Sequence, residues 1–112
     1  MRLPMTDHLL VMSTCPDAET AQRLATILVE RRLAACVNIL PGVTSVYRWQ
    51  GKITQDSEVL LLAKTRVDRY QEVETVLVEH HPYELPEVVA VSLKQGLSDY
   101  LAWLDDTLDG GS

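Results

Sequence analysis

The residues best placed to do chemistry are His80 and His81, adjacent and followed by Pro82-Tyr83, and Cys15, which closes a short apolar run near the start of the chain. Neutral imidazole binds transition metals, and a proline turn directly after two histidines can aim one or both rings at a common point. A thiolate at Cys15 would add a soft ligand that favours copper and other thiophilic ions, provided the fold or a neighbouring subunit brings it to the histidines. The same histidine pair also suits a plain polar helix end, where a cationic ring complements the dipole. Cys36, between Ala35 and Val37, reads as core packing.

Other polar groups point less clearly to a reaction. Glu58, Glu84 and Glu87 flank strand ends or a proline-rich crossover, but their spacing fixes neither the separation nor the unequal acidities that a paired-carboxylate hydrolase needs. They read as solvated surface charge, and Lys64 as the partner of one of them in a salt bridge. Tyr47 and Trp49 alternate with Arg48, so one strand face is aromatic and suits packing between subunits, with a stacking platform as the alternative. No G-x-G-x-x-G, phosphate loop, H-E-x-x-H or serine elbow occurs, which argues against a conventional enzyme.

Composition narrows the classes further. With 112 residues, 46% of them hydrophobic, the chain is expected to form one domain over 1–112, with 1–6 and 109–112 frayed. A formal charge of −6 opposes a nonspecific grip on nucleic acid or an anionic membrane. Residues 57–112 hold 4 basic and 11 acidic groups, a half that could attract a cation or simply keep the protein soluble. Two cysteines are too few for a disulfide framework, so reduced thiols are expected. No run of 18 apolar residues or secretory leader is seen, and a cytoplasmic location follows as the expectation.

These residues need elements to position them. His8 to Thr14 reads as a buried strand, and Ala21, Leu24, Ala25 and Leu28 as the apolar stripe of a helix capped by Asp17, with Arg31 and Arg32 at its negative end. Leu33 to Thr65 reads as two long strands joined at Gln50-Gly51-Lys52, the first bent at Pro41-Gly42. Asp68 to Gln71 resembles a capping box for a second helix that stops at His80-His81. Val88 to Leu93 predicts a central strand, and Ser98 the cap of a last helix with Leu97 and Ala102 as a staple and Leu101, Leu104 and Leu108 on its packed side. The order β-α-β-β-α-β plus a helix is that of an α+β, ferredoxin-like split βαβ sandwich with a long hairpin. Two helices cover one sheet face only, so a subunit interface is expected on the other, and a cyclic homo-oligomer with it.

The chain resembles the CutA divalent-ion tolerance family. The resemblance rests on Leu33 to Asn38, Pro41 to Ile53, Lys64-Thr65, His81 to Glu87 and Tyr100 to Leu104, in order along nearly the whole chain. It implies a homotrimer of ferredoxin-like subunits, cytoplasmic in bacteria, non-enzymatic and tied to tolerance of copper and other divalent cations. Copper-binding members use two histidines before Pro-Tyr, here His80 and His81, and a first-strand cysteine whose position is Ser13 here. Cys15, two residues later on the same strand face, is the candidate replacement, giving Cu(II) on His80, His81 and Cys15. The family's architectural likeness to nitrogen-regulatory PII proteins implies the alternative, a trimeric signalling protein that binds a small anion or metabolite at subunit clefts through Lys64, Arg66 and Glu87, or docks an unidentified protein partner.

Overall fold

The computed structural model describes residues 7–111; the expected fraying of 1–6 and of Ser112 lies outside them. Its elements run β1 (His8–Cys15), α1 (Ala18–Glu30), β2 (Cys36–Trp49), β3 (Lys52–Arg66), α2 (Tyr70–His80), β4 (Val89–Ser92) and α3 (Ser98–Leu108). All pairings are antiparallel and the sheet order is β2-β3-β1-β4. This is the ferredoxin-like arrangement with the added C-terminal helix, as the hydrophobic periods predicted.

Side chains alternate along each strand, so one set of positions meets the helices. Val11 and Cys15 of β1 and Val59, Leu61 and Ala63 of β3 form the core with Ala21, Leu24 and Leu28 of α1 and Val73, Val76 and Leu77 of α2. Asp17 caps α1 as expected, its carboxylate accepting from the Thr20 amide at 2.8 Å. Thr65 enters the same layer because its hydroxyl donates to the Leu33 carbonyl at 2.7 Å.

The opposite face is open apart from α3. Leu104 and Leu108 bury against Ala35 at one end, while Leu40, Val89 and Val91 stay 51%, 46% and 47% exposed. Cys36 lies on this face, half-buried, because it pairs with Lys64, not with a core position; the core placement predicted for it does not hold. Lys64 forms no salt bridge among the described residues and donates to Asn38 and, at 3.9 Å, to the Cys36 sulfur.

The long hairpin depends on two backbone features. Leu40 faces Leu60 but Val43 faces Glu58, so β2 carries one residue more than β3 across Pro41-Gly42, a bulge that Gly42 accommodates at φ +83°. The extra residue switches the parity of β2, and Tyr47 and Trp49 therefore share a face with Asp56 and Glu58. The tip, Gln50-Gly51 at φ +50° and +80°, has the two positive φ values of a type I′ turn.

Four local expectations fail for identifiable reasons. Asp68 does not cap α2: Val67–Arg69 is a 3-10 turn, Arg69 occupies the cap position without a side-chain bond, and Asp68 pairs with Arg66 at 3.0 and 3.1 Å. Ser98 is already inside α3, whose cap position is Leu97, and both Leu97 and Ala102 are exposed, so no staple forms. β4 is an edge strand, since β1 pairs with β3 on its other side. Arg32, at φ +55°, turns from α1 and donates to the Thr107 and Gly111 carbonyls at 2.6 and 2.9 Å.

α3 is held by charge as well as by the buried Leu104 and Leu108. Arg66 donates to both oxygens of Asp109 at 2.7 and 3.0 Å, and the buried His8 lies 2.9 Å from Asp105 through Nε2. The guanidinium holds the Asp109 carboxyl below the usual carboxylate range. This latch is present at neutral pH and is lost as pH falls through that depressed value. Because its carboxylates are half exposed, Arg66→Ala should lower stability by about 1–2 kcal/mol, against about 2–5 kcal/mol for Leu24→Ala in the core. Chemical denaturation of both variants checks the order; a larger loss for Arg66→Ala would mean that α3 controls the global fold.

Candidate functional site

The end of α2 fixes the two histidines differently. Pro82 disfavours the helical conformation for the residue before it, and His81 accordingly leaves the helix at φ −83°, ψ 139°. His80 stays on the last turn, half-buried, with Nδ1 3.0 Å from the Val76 carbonyl. Nδ1 must therefore carry the proton, which leaves the Nε2 lone pair free for a metal. A ring nitrogen donating to a carbonyl while the other faces outward is the usual posture of a metal-binding histidine.

His81 is turned inward and is buried. Its Nε2 lies 2.7 Å from the Thr14 carbonyl and its Nδ1 accepts the Tyr83 amide at 3.1 Å. The two contacts together define the Nε2–H tautomer and occupy both nitrogens. The ring thus ties the end of β1 to the segment after α2, with Tyr83 packed on it at 4.6 Å between centroids.

Cys15 follows Thr14 on β1, fully buried among the core residues that α1 covers. Burial, with the Asp17 and Glu58 charges adding to it, pushes its thiol up to about 11. Ser13 shares its strand face and is also buried, with a hydroxyl that finds no partner. Of the three residues predicted as ligands, only His80 presents an unoccupied donor atom. Among the described residues, no three His, Cys, Asp or Glu side chains form a group able to hold a metal ion.

A second site was not legible in the sequence. The hairpin and the 83–87 segment enclose a cleft of about 610 Å³. Asp56 and Glu58 line it from β3 and Glu84 and Glu87 from the crossover, with Tyr47, Trp49 and Tyr83 as aromatic walls. Glu58 is no surface charge: it is 8% exposed and accepts from the Tyr83 hydroxyl at 2.7 Å. Tyr47 donates likewise to Asp56. Burial and the facing Glu58 carboxylate hold the Tyr83 phenol well above its ordinary range, and the bond to Asp56 raises that of Tyr47, so both remain donors. Of the residues considered for a small anion, Glu87 lines this cleft and Lys64 and Arg66 do not. The signal that could have found Glu58 is the bulge, since the extra residue at Pro41-Gly42 puts it on the aromatic face.

Known proteins share this fold. The profile of the CutA1 divalent ion tolerance protein matches residues 9–107. The chain belongs to the CutA1 divalent ion tolerance family. A divalent-cation tolerance protein CutA of Pectobacterium atrosepticum is 46% identical over 105 residues, 94% of this chain and 96% of the relative. The crystal structure of CutA from Xylella fastidiosa superposes with a TM-score of 0.90 at 46% identity, covering 93% of this chain and 100% of that one. The divalent cation tolerance protein of Thermus thermophilus gives 0.85 at 46% identity over 87% of this chain and 94% of its own. Membership makes this a tolerance family protein and not an enzyme.

The environment of Cys15 generates a direct expectation. At pH 8 a thiol raised to about 11 is ionised in roughly one molecule in a thousand, and its side chain has no exposed surface. Iodoacetamide should leave Cys15 unmodified in the native protein and label it fully after unfolding, as read by peptide mass mapping. Native labelling at the unfolded rate would contradict the burial.

Proposed function

We propose that this CutA family member binds a divalent transition-metal ion, Cu(II) first, as its contribution to cation tolerance in the cytoplasm, with His80 as the anchoring ligand. The observation that carries the reading is the Nε2 of His80, free at the end of α2 while Nδ1 is tethered to Val76. Neutral imidazole suits Cu(II), and the Irving–Williams order places Cu(II) above Zn(II) at such a donor. One imidazole leaves the remaining positions to water or to donors of other copies. His81 joins the coordination sphere only by giving up Thr14 or Tyr83, and Cys15 only by leaving the core, so both act first as positioning residues.

The assembly proposed for this work is a homotrimer. Its support is the open sheet face, where Leu40, Val89 and Val91 remain about half exposed, continuing into the exposed Tyr47 and Trp49 of the hairpin. A contiguous apolar surface of this kind on a small domain marks an interface. Sedimentation velocity at micromolar concentration should give three times the 12.6 kDa chain mass; a persistent monomer would overturn the trimer.

Calorimetric titration of the intact assembly with Cu(II) and Zn(II) tests the metal reading. Copper should bind more tightly than zinc and should weaken on acidification, since a protonated ring has no lone pair to give. His80→Ala should remove stoichiometric binding, and His81→Ala should weaken it roughly tenfold through lost positioning. Cys15→Ser should leave it unchanged unless the thiol moves to the ion. Unaltered copper affinity in His80→Ala would sink the site.

A further inference from the structure

We propose that α3 is a strap that lifts from the sheet as a unit while the rest of the fold stays closed, its opening controlled by the charges that fasten it. The form of its attachment comes first. Leu104 and Leu108 bury against Ala35 in a small cluster of their own, separate from the core that α1 and α2 close. Leu93 is still tied to β1, its amide donating to the His8 carbonyl at 2.9 Å, but Lys94 to Leu97 are exposed and belong to no helix or strand. This segment can pivot without breaking the β1–β4 ladder, whose register ends at Ser92.

The second observation is independent of the first. Among the described residues three buried side-chain polar atoms have no hydrogen-bond partner: Ser13 Oγ in the core, and Arg69 Nε and Thr107 Oγ1 where α3 meets the body of the protein. Thr107 belongs to α3, and Arg69 reaches it through the Leu108 carbonyl at 2.9 Å. A buried polar atom without a partner forfeits its hydration. Both atoms regain water when α3 lifts, so closure carries a penalty that opening relieves.

Against that penalty stand the two leucines and a set of charge pairs. Asp105 lies 2.9 Å from His8 and 3.4 Å from Arg66, and Asp109 accepts from Arg66 at 2.7 and 3.0 Å with Arg69 at 3.5 Å. Both carboxylates are about half exposed, so dissolved ions weaken these pairs while the apolar core under α1 and α2 keeps its contacts. Opening uncovers His8 and Ala35, both buried when α3 is closed, and lengthens the open sheet face at that end.

Hydrogen exchange of the intact protein, read by mass spectrometry at neutral pH and low salt, tests the strap. Relative to their rates in the unfolded chain, the amides of Leu101 to Leu108 should exchange together and about tenfold or more faster than those of Leu24 to Leu28 in α1. Asp109→Asn keeps the shape and deletes one charge; it should speed exchange in α3 by about three- to tenfold and leave α1 within about twofold. Sodium chloride at about 0.5 M should move the unmutated protein the same way. Thr107→Val replaces the unpartnered hydroxyl by a methyl group and should slow exchange in α3. Modification of His8 by diethyl pyrocarbonate, located by peptide mapping, should follow the α3 amides through the series. Equal protection of α3 and α1 would overturn the proposal. So would α3 exchange that neither Asp109→Asn nor salt alters, or an Asp109→Asn variant in which α1 and α3 speed up alike, since α3 would then open only with the whole fold.

Discussion

Strand side chains alternate between two faces, and in this sheet helices α1 and α2 close only one of them. Most other features answer to that constraint. The closed face holds the leucines, valines and alanines of the core together with Cys15 and Ser13. The open face holds the half-exposed apolar positions of β1 and β4, the Lys64–Asn38–Cys36 contact and the aromatic stretch of the hairpin. Neither face is free to exchange residues with the other, because a slip of one position would turn every strand side chain over.

The bulge at Pro41-Gly42 shows how local geometry becomes chemistry. Without the extra residue, Tyr47 and Trp49 would lie on the opposite face from Glu58 and the cleft would have no aromatic wall on β2. Gly42 takes its positive φ in open space, with nothing within 4 Å of the position a Cβ would occupy. Its glycine thus answers to backbone conformation and not to crowding. The charged latch on α3 adds to the buried Leu104 and Leu108: Arg32, Arg66 and Arg69 reach the last carbonyls and Asp109. Asp109 to Gly111 are tied into this network, the Gly111 amide donating to the Asp106 carbonyl at 2.7 Å.

The histidine pair divides into two roles through one backbone step. His80 belongs to α2 and keeps a free nitrogen. His81, made extended by Pro82, spends both nitrogens on joining β1 to the crossover that carries Tyr83 and Glu84. The crossover in turn presents the Tyr83 hydroxyl to Glu58, so the end of α2 and the acidic cleft share a support.

The order of amino acids was enough to specify the element order, the split βαβ topology, the stripes of α1 and α2, the Asp17 cap, the bend at Pro41-Gly42 and the open sheet face. Each is set by local period, by proline and glycine stereochemistry, or by the count of strands against helices. It also carried the family resemblance, which runs through nearly the whole chain. What it did not specify is which atoms remain available. Whether His81 is a ligand or a tie depends on the Thr14 carbonyl, 67 positions away in the chain, and whether Cys15 is a thiolate depends on the helix that covers it. Asp68 was read as a cap because its sequence neighbours fit, but Arg66 offered two charge-assisted bonds and took it. Glu58 looked like surface charge until the register of β2 and the folding-back of Tyr83 enclosed it. Such cases are settled by the packed chain alone, because partner choice and burial are set by residues distant in sequence, whereas period and turn chemistry are written locally.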